Sequence, residues 1–556
     1  MTETESEILE SLNELEEAVN QLAAKKEKPN LAAIFEKLDL LTNALPKDAD
    51  PSLLHYLHKK SYQKARLFLL GREAENAKGN CHGHSHRPLF IRTPMDRNLQ
   101  SLDDTIAAIA TPVGEAGLAV LRVSGKDAFG IVDKCFDPIG KSSSKPSKAN
   151  SHTIQYGRIL QAGRVVDEVM VSVFRAPRTF TREHVVEIST HGGSLPAKLV
   201  LDTLLHHGAR LAEPGEFTMR AFLNGRIDLT QAEAVADVIH SRTELALNAA
   251  NEQLAGKLSA KIRELRTQLM SILAHLEAHI DFPDEDIAPD TKDQMIQRIQ
   301  ETYQFMDALL STANEGRILR RGIKAAIVGR PNAGKSSLLN HLLGHERAIV
   351  SHEEGTTRDT IEETANIRGV PIIFVDTAGL REANNVIEQE GIRRSRRSIE
   401  QAELVLHVVD GTAPLHTEDL AFLDKQSLKS CLHVLNKSDL EPHHSHAAED
   451  RHPWIPVSCS TGSGMESLKD AIIKEVWSGN IKAEMLEVMI NSRHQDALLR
   501  SKSSLETVIE GLKNDIGLEL IAMDLRIAVG AVGEIVGETT TENLLDSIFS
   551  QFCLGK

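Results

Sequence analysis

The sequence predicts a multidomain α/β protein in which a mixed strand-and-helix segment precedes a helical domain, itself split by a second, mainly parallel sheet. Three observations predict this. The 556 residues suit about three or four domains at roughly 150 residues each. Short β-like runs crowd into two windows, residues 104–211 and 322–478, separated by helical stretches. Apolar residues recur at three- and four-residue steps on both sides of the second window, so the sheet there is inserted into one helical domain.

Composition narrows the class. Hydrophobic residues make up 41% of the chain, and no apolar run reaches the roughly 18–20 residues of a membrane span. The N-terminus lacks the apolar core of a signal peptide. The five cysteines, Cys81, Cys135, Cys431, Cys459 and Cys553, are odd in number and scattered, which fits a reducing cytoplasm. A cytoplasmic location without membrane attachment is expected. The formal charge of −16 argues against bulk nucleic-acid affinity but permits a local basic surface or a basic partner.

Residues 1–94 read as a helical extension. Ile8, Leu9, Leu12, Leu15, Val19 and Leu22 form an amphipathic stripe, and two further helical stretches cover about residues 30–45 and 52–71. Cys81-His-Gly-His-Ser-His86 reads as a solvated His-rich linker, because no second Cys/His pair stands at zinc-finger spacing. Met95 then precedes a new texture and is an alternative start.

Residues 95–225 form the first α/β domain, with strand-like runs at Ala119–Val123, Val165–Val173 and Val185–Ile188. Arg122 and Glu187 each fall inside an apolar strand, and His191-Gly-Gly193 follows the second. A charge so placed must be paired or meet a ligand, and the residues alone leave both readings open. Residues 226–320 are helical, broken at Asp281–Pro289 by acids and prolines that read as a solvated turn. Residues 480–556 return to helix, where Thr539-Thr-Thr-Glu542 resembles a capping box ahead of the Leu544–Phe552 stripe.

Residues 321–479 carry the clearest chemistry. Gly329-Arg-Pro-Asn-Ala-Gly334-Lys335-Ser336 has phosphate-loop spacing, between the apolar run Lys324–Val328 and the helical run beginning at Ser337. Backbone N–H groups there face an anion, Lys335 supplies charge to the terminal phosphates, and the Ser336 hydroxyl suits magnesium. Asp376-Thr377-Ala378-Gly379 follows the Ile372–Val375 strand, where an acid holds magnesium through water and glycine lets backbone approach the last phosphate. Asn436-Lys437-Ser438-Asp439 follows another strand, and a carboxylate there accepts two hydrogen bonds from guanine that adenine cannot offer. Ser458-Cys459-Ser460 supplies the remaining base loop. GTP is therefore the expected nucleotide. Leu380 stands where small GTPases carry a water-orienting Gln, so another residue must do that work. Arg358 and Arg381 are candidates for charge stabilisation, and the Asn332 side-chain carbonyl suits a monovalent cation.

From about Asp104 to Lys556 the chain resembles the tRNA-modification GTPase MnmE (TrmE) family. The resemblance rests on Asp104-Thr-Ile-Ala-Ala-Ile-Ala-Thr-Pro112, the Pro214–Leu229 segment, the phosphate loop, Gly355-Thr-Thr-Arg-Asp359, Asp376-Thr-Ala-Gly-Leu-Arg-Glu382 and the terminal Cys553-Leu-Gly-Lys556. It implies an N-terminal folate-binding α/β domain, a discontinuous helical domain and an inserted Ras-like P-loop GTPase domain. It also implies a homodimer joined through the α/β domains. GTP contacts would come from Asn332, Ala333, Gly334, Lys335, Ser336, Ser337, Ser351, His352, Glu353, Glu354, Gly355, Thr356 and Thr357, with the later loops named above. Magnesium would lie on Ser336 and Thr357, and potassium on Asn332, Ser351, Glu353 and Thr356. Glu388, twelve residues after Asp376, matches the acid that positions the hydrolytic water.

The same resemblance maps 5-formyltetrahydrofolate, or a relative, onto Arg122, Glu187, Arg226 and Lys556, with Cys553 at the family's terminal cysteine. Near Glu187 the family tends to read Thr-Gly-Glu-Asp where this chain has Thr181-Arg-Glu-His184, a departure that bears on the loop's conformation. Residues 1–94 have no counterpart in the family core. The implied activity is potassium-stimulated GTP hydrolysis that modifies carbon 5 of a tRNA wobble uridine, in a heterotetramer with the FAD-dependent partner MnmG (GidA). The competing reading is a ribosome-assembly or signalling GTPase switch, which would share every nucleotide loop but have no use for Arg122, Glu187, Arg226 and the Cys-Leu-Gly-Lys end.

Overall fold

A computed structural model describes residues 104–112, 114–281, 292–344, 362–375, 400–417, 430–441, 453–477, 488–514, 516–550 and 552–556, with a few isolated positions besides. The chain divides into two compact units, Met1–Arg97 and Asn98–Lys556. In the first, Ile8, Leu12 and Leu38 are helical and buried. Leu9 of the expected stripe is helical and half-buried, while Leu15, Val19, Leu22, the Cys81–His86 run and Met95 lie outside the described residues.

The second unit opens with a seven-stranded sheet: β1 (Ile106–Ile109), β2 (Leu118–Ser124), β3 (Phe136–Pro138), β4 (Thr153–Gln161), β5 (Arg164–Phe174), β6 (Val185–His191) and β7 (Arg210–Leu211). Its order is β3-β4-β5-β6-β2-β1-β7, antiparallel except between β1 and β7. Period-two alternation explains why only one face is covered. Val169, Val171 and Val173 of β5 point into a core shared with α1 (Ala128–Cys135) and α2 (Ser194–His206). Their neighbours Glu168 and Met170 face the opposite way and are exposed. Register sets Arg122 of β2 directly across from Glu187 of β6.

Helices follow: α3 (Glu216–Leu223), α4 (Leu229–His240), α5 (Glu244–Leu254), α6 (Lys257–Asp281), α7 (Lys292–Leu310) and α8 (Ala313–Arg321). Asp228 starts α4 through a capping box with Gln231. The acidic turn after α6 lies outside the described residues.

The second sheet comprises β8 (Ile323–Val328), β9 (Glu363–Ile367), β10 (Val370–Phe374), β11 (Leu404–Asp410), β12 (Ser430–Asn436) and β13 (Trp454–Pro456), with α9 (Lys335–Leu343) and α10 (Met465–Val476). Its order is β13-β12-β11-β8-β10-β9, parallel except for the β9–β10 hairpin. That edge strand is not legible as an apolar run. It forms because Arg368 and Gly369, at φ 52° and 88°, make a two-residue turn of the hairpin type.

The chain ends with α11 (Ser492–Lys513), α12 (Leu518–Val536) and α13 (Glu542–Phe549), the last capped by Thr541. Leu265, Leu269, Ile272, Ile299 and Met306 share one apolar core with Leu498, Leu505, Leu525 and Val532, so helices before and after the second sheet bury a common surface. Glu233 of α4 spans this junction, accepting from Arg493 at 2.8 and 3.0 Å and from His494 Nε2 at 2.7 Å. The Asn491 N–H donates to His494 Nδ1, which leaves Nε2 as the protonated nitrogen. Burial pushes His494 down to about 4, so it is neutral at neutral pH. No described helix is long and apolar enough to cross a membrane.

Candidate active site

Two groups of residues stand apart from the packing. The first gathers at the C-terminal ends of the parallel strands, the usual place for a ligand in an open α/β sheet. β8 delivers the phosphate loop and α9 begins at Lys335. Asn332 and Gly334 both have positive φ, 66° and 95°, which curls the loop so that backbone amides converge. Gly334 is needed for a second reason: a Cβ there would stand 2.0 Å from Asn436 Nδ2. No side chain caps α9, so its N-terminus is open to an anion. Lys335 Nζ donates to the Gly329 and Arg330 carbonyls at 2.8 Å each, and burial lowers its pKa.

The base loops are fixed from behind. Asn436 is buried, donates to the Ala333 carbonyl at 2.9 Å and accepts from the Cys459 amide at 3.3 Å, so one side chain ties three loops together. Asp439 accepts from Ser460 Oγ at 3.0 Å, and the hydroxyls of Ser458 and Ser460 help hold its carboxyl below the usual range. It is ionised, as a guanine acceptor must be. Lys437 sits at φ 64° and binds Asp410 Oδ2 at 2.5 Å. Asp410 also accepts from Thr412, and these bonds outweigh its burial to lower its pKa. The structure thus brings together Asn332, Ala333, Gly334, Lys335, Ser336, Ser337, Asn436, Lys437, Ser438, Asp439, Ser458, Cys459 and Ser460. Ser351, His352, Glu353, Glu354, Gly355, Thr356, Thr357, Asp376, Thr377, Ala378, Gly379 and Glu388 lie outside the described residues, as do Arg358, Leu380 and Arg381. Asp410 was not singled out in sequence, although an acid at the end of β11, in register with Asn436, was its available signal.

The second group lies on the first sheet. Arg122 and Glu187 pair with each other, Nε and Nη2 both reaching Glu187 Oε1 at 2.9 and 2.8 Å. Of the two readings left open in sequence the structure shows the pairing, and Glu187 Oε2 has no hydrogen-bond partner among the described residues. The Arg122 guanidinium lies 6.0 Å from the Phe180 ring centroid and 5.7 Å from that of Phe217. Arg226 lies 5.3 Å from Phe180 and donates to the Thr179 carbonyl. The main-chain oxygen of Lys556 accepts from the Phe217 amide at 3.2 Å. Gly555 permits that approach, since a Cβ there would stand 2.6 Å from the Ile109 carbonyl. Cys553 is exposed on this docked tail.

The Thr181–His184 loop keeps a turn by placing Arg182 at φ 59°. Beneath it Arg220 is fully buried, bonded to Asp104 at 2.6 Å, Glu216 at 2.9 Å and Glu183 at 3.2 Å. Phe180 carries no motif signal, whereas Phe217 lies within the Pro214–Leu229 segment and Arg182 within the Thr181–His184 loop. The donor set fits a flat, anionic heteroaromatic molecule: a free carboxylate oxygen for paired ring N–H groups, the half-exposed Phe180 ring for stacking, and guanidiniums for carboxylates.

Residues 105–226 match the model described as GTP-binding protein TrmE N-terminus, and residues 229–553 match that of the MnmE helical domain. The tRNA modification GTPase MnmE of Bacillus velezensis is 44% identical over 462 residues, covering 82% of this chain and 100% of the relative. That of Bacillus subtilis is 44% identical over 461 residues, with the same shares. Among solved structures, Era in complex with MgGDPNP and nucleotides 1506-1542 of 16S ribosomal RNA is 27% identical, covering 33% of this chain and 66% of its own, with a TM-score of 0.23, too low to argue from.

Proposed function

The chain belongs to the MnmE family of tRNA modification GTPases, and from that premise we propose that it hydrolyses GTP to drive modification of carbon 5 of the wobble uridine, U34, in certain tRNAs. The group added is aminomethyl or carboxymethylaminomethyl, with a tetrahydrofolate as one-carbon donor and an FAD-dependent MnmG (GidA) protein as partner. One observation carries the reading. A guanine-type nucleotide site shares its chain with a separate Arg122–Glu187 cradle closed by the chain's own C-terminus, which a ribosome-assembly or signalling switch would not need.

In the nucleotide site, Lys335 exchanges its two carbonyl partners for the terminal phosphates, and Asp439 accepts the guanine ring N–H and amino group. Ser336 and Thr357 would hold magnesium, and Asn332, Ser351, Glu353 and Thr356 would hold a potassium ion that would offset charge between the phosphates. Glu388 orients the attacking water in place of a residue at Leu380. In the cradle, Glu187 Oε2 would orient the heteroaromatic head and Arg226 and Lys556 would answer the carboxylates of a folate, which would supply the one-carbon unit when bound. Two chains meet through their α/β segments, and the assembly with the partner is a heterotetramer.

Mass analysis of nucleosides in tRNA from cells lacking this gene tests the proposal. Unmodified U34 is the expected result. Intact modification overturns it in favour of the switch.

A further inference from the structure

Resting on the folate reading above, we propose that Arg182 is a further anion-binding residue of the cradle, which makes the site selective for donors that carry an oligo-γ-glutamate tail. The inference begins with the backbone. Arg182 holds φ 59°, a conformation that residues other than glycine rarely adopt, and such strain persists only where surrounding structure fixes it. Three hydrogen bonds do so. Arg182 Nη1 donates to the Asn224 carbonyl at 2.9 Å, Asn224 Nδ2 donates to the Thr181 carbonyl at 2.6 Å, and Arg226 donates back to the Thr179 carbonyl. The loop and the turn are stapled in both directions, and an added Cβ at Gly225 would lie 3.6 Å from Arg182 Nη1.

Charge accounting points the same way. Arg122, Arg158, Arg210 and Arg220 of this domain each hold a carboxylate. Among the described residues Arg164, Arg175, Arg178, Arg182 and Arg226 hold none, and of these Arg182 and Arg226 are the two whose guanidiniums bond carbonyls across the Thr179–Arg182 loop and the Asn224–Arg226 turn. Position orders them. Arg122 and Glu187 are half-buried at the inner end of the cradle, whereas Arg226 and Arg182 are exposed at its rim. Arg226 lies beside Phe180, and Arg182 Nη1 bonds the carbonyl of Asn224, two residues before Arg226, so the two guanidiniums share one turn. Each added γ-glutamate brings one α-carboxylate, and a guanidinium already oriented by a carbonyl presents its remaining N–H fork to it. Two guanidiniums at one rim suit a short carboxylate tail better than an RNA duplex, whose binders neutralise about 6–10 phosphates.

The test is calorimetric titration of the full-length protein with 5-formyltetrahydrofolate as mono- and triglutamate, for the wild type, Arg182→Gly, Arg182→Lys and Arg226→Ala. The wild type is expected to prefer the triglutamate about tenfold, the size of one charge-assisted bond. Arg182→Gly should lose that preference yet keep monoglutamate affinity, with only a small drop in thermal stability from the lost bond to the Asn224 carbonyl, because glycine accepts the backbone angle. Arg182→Lys should restore part of it, and Arg226→Ala should weaken both ligands. An unchanged tri-to-mono ratio in Arg182→Gly overturns the assignment while leaving the folate reading standing. Loss of tRNA affinity in that variant, with the ratio unchanged, overturns it in favour of an RNA contact. Failure of the wild type to bind either ligand overturns both.

Discussion

The nucleotide loops and the proposed folate cradle would hold an anionic ligand in opposite ways. In the second sheet each loop is one contiguous motif at a strand end, and its backbone does most of the work: positive φ at Asn332, Gly334 and Lys437, an uncapped helix, and one Asn tying the loops together. In the first sheet the cradle is assembled from residues 122, 180, 187, 217, 226 and 556, and its side chains already bond one another or pack on aromatic rings. A site made of backbone fails as a unit, while a site made of side chains can lose one contact at a time.

Gly334→Ala should give the largest effect. Its φ of 95° and the 2.0 Å approach to Asn436 force both strain and the loss of two buried hydrogen bonds, costing about 3 kcal/mol and abolishing GTP binding. Calorimetric unfolding with nucleotide titration measures both, and normal GTP affinity would break the backbone account of that site. Asp439→Asn should be next, weakening GTP by about 100-fold, or about 2.7 kcal/mol, with little change in stability. Competition binding against inosine and xanthosine triphosphates reads the outcome; retained GTP preference contradicts the guanine assignment.

Arg122→Ala tests the other side of the contrast. It leaves Glu187 half-buried and unpaired, which should cost about 1–2 kcal/mol and remove folate binding while GTP affinity stays within twofold. A parallel loss of GTP binding would mean that the two regions are not separable. The smallest effect concerns the helical junction between them. The folded-state pKa of His494, about 4, lies below its ordinary 6.5, so the unfolded chain binds the extra proton first and stability falls with pH through that window. A loss of about 1 kcal/mol between pH 7 and 5.5 is expected, and urea titrations of His494→Gln should show a shallower slope.

What was legible in the sequence follows the same division. The phosphate loop, Asn436–Asp439 and Ser458–Ser460 were readable because strand, loop and helix lie within a few residues of each other. Arg122 and Glu187 stood out as charges within apolar strands, but their pairing depends on the β2–β6 register across 65 residues. Phe180 became visible only when the chain closed around it. β9 escaped notice because its residues lack an apolar run and its turn relies on a non-glycine residue at positive φ.

On the proposed function, the cradle carries the tRNA chemistry while the nucleotide loops drive it. Nucleoside mass analysis of tRNA from cells whose only copy carries Arg226→Ala tests this most directly, paired with the GTP hydrolysis rate of the purified variant. The account predicts unmodified wobble uridine alongside wild-type hydrolysis. Fully modified U34 in those cells would contradict it.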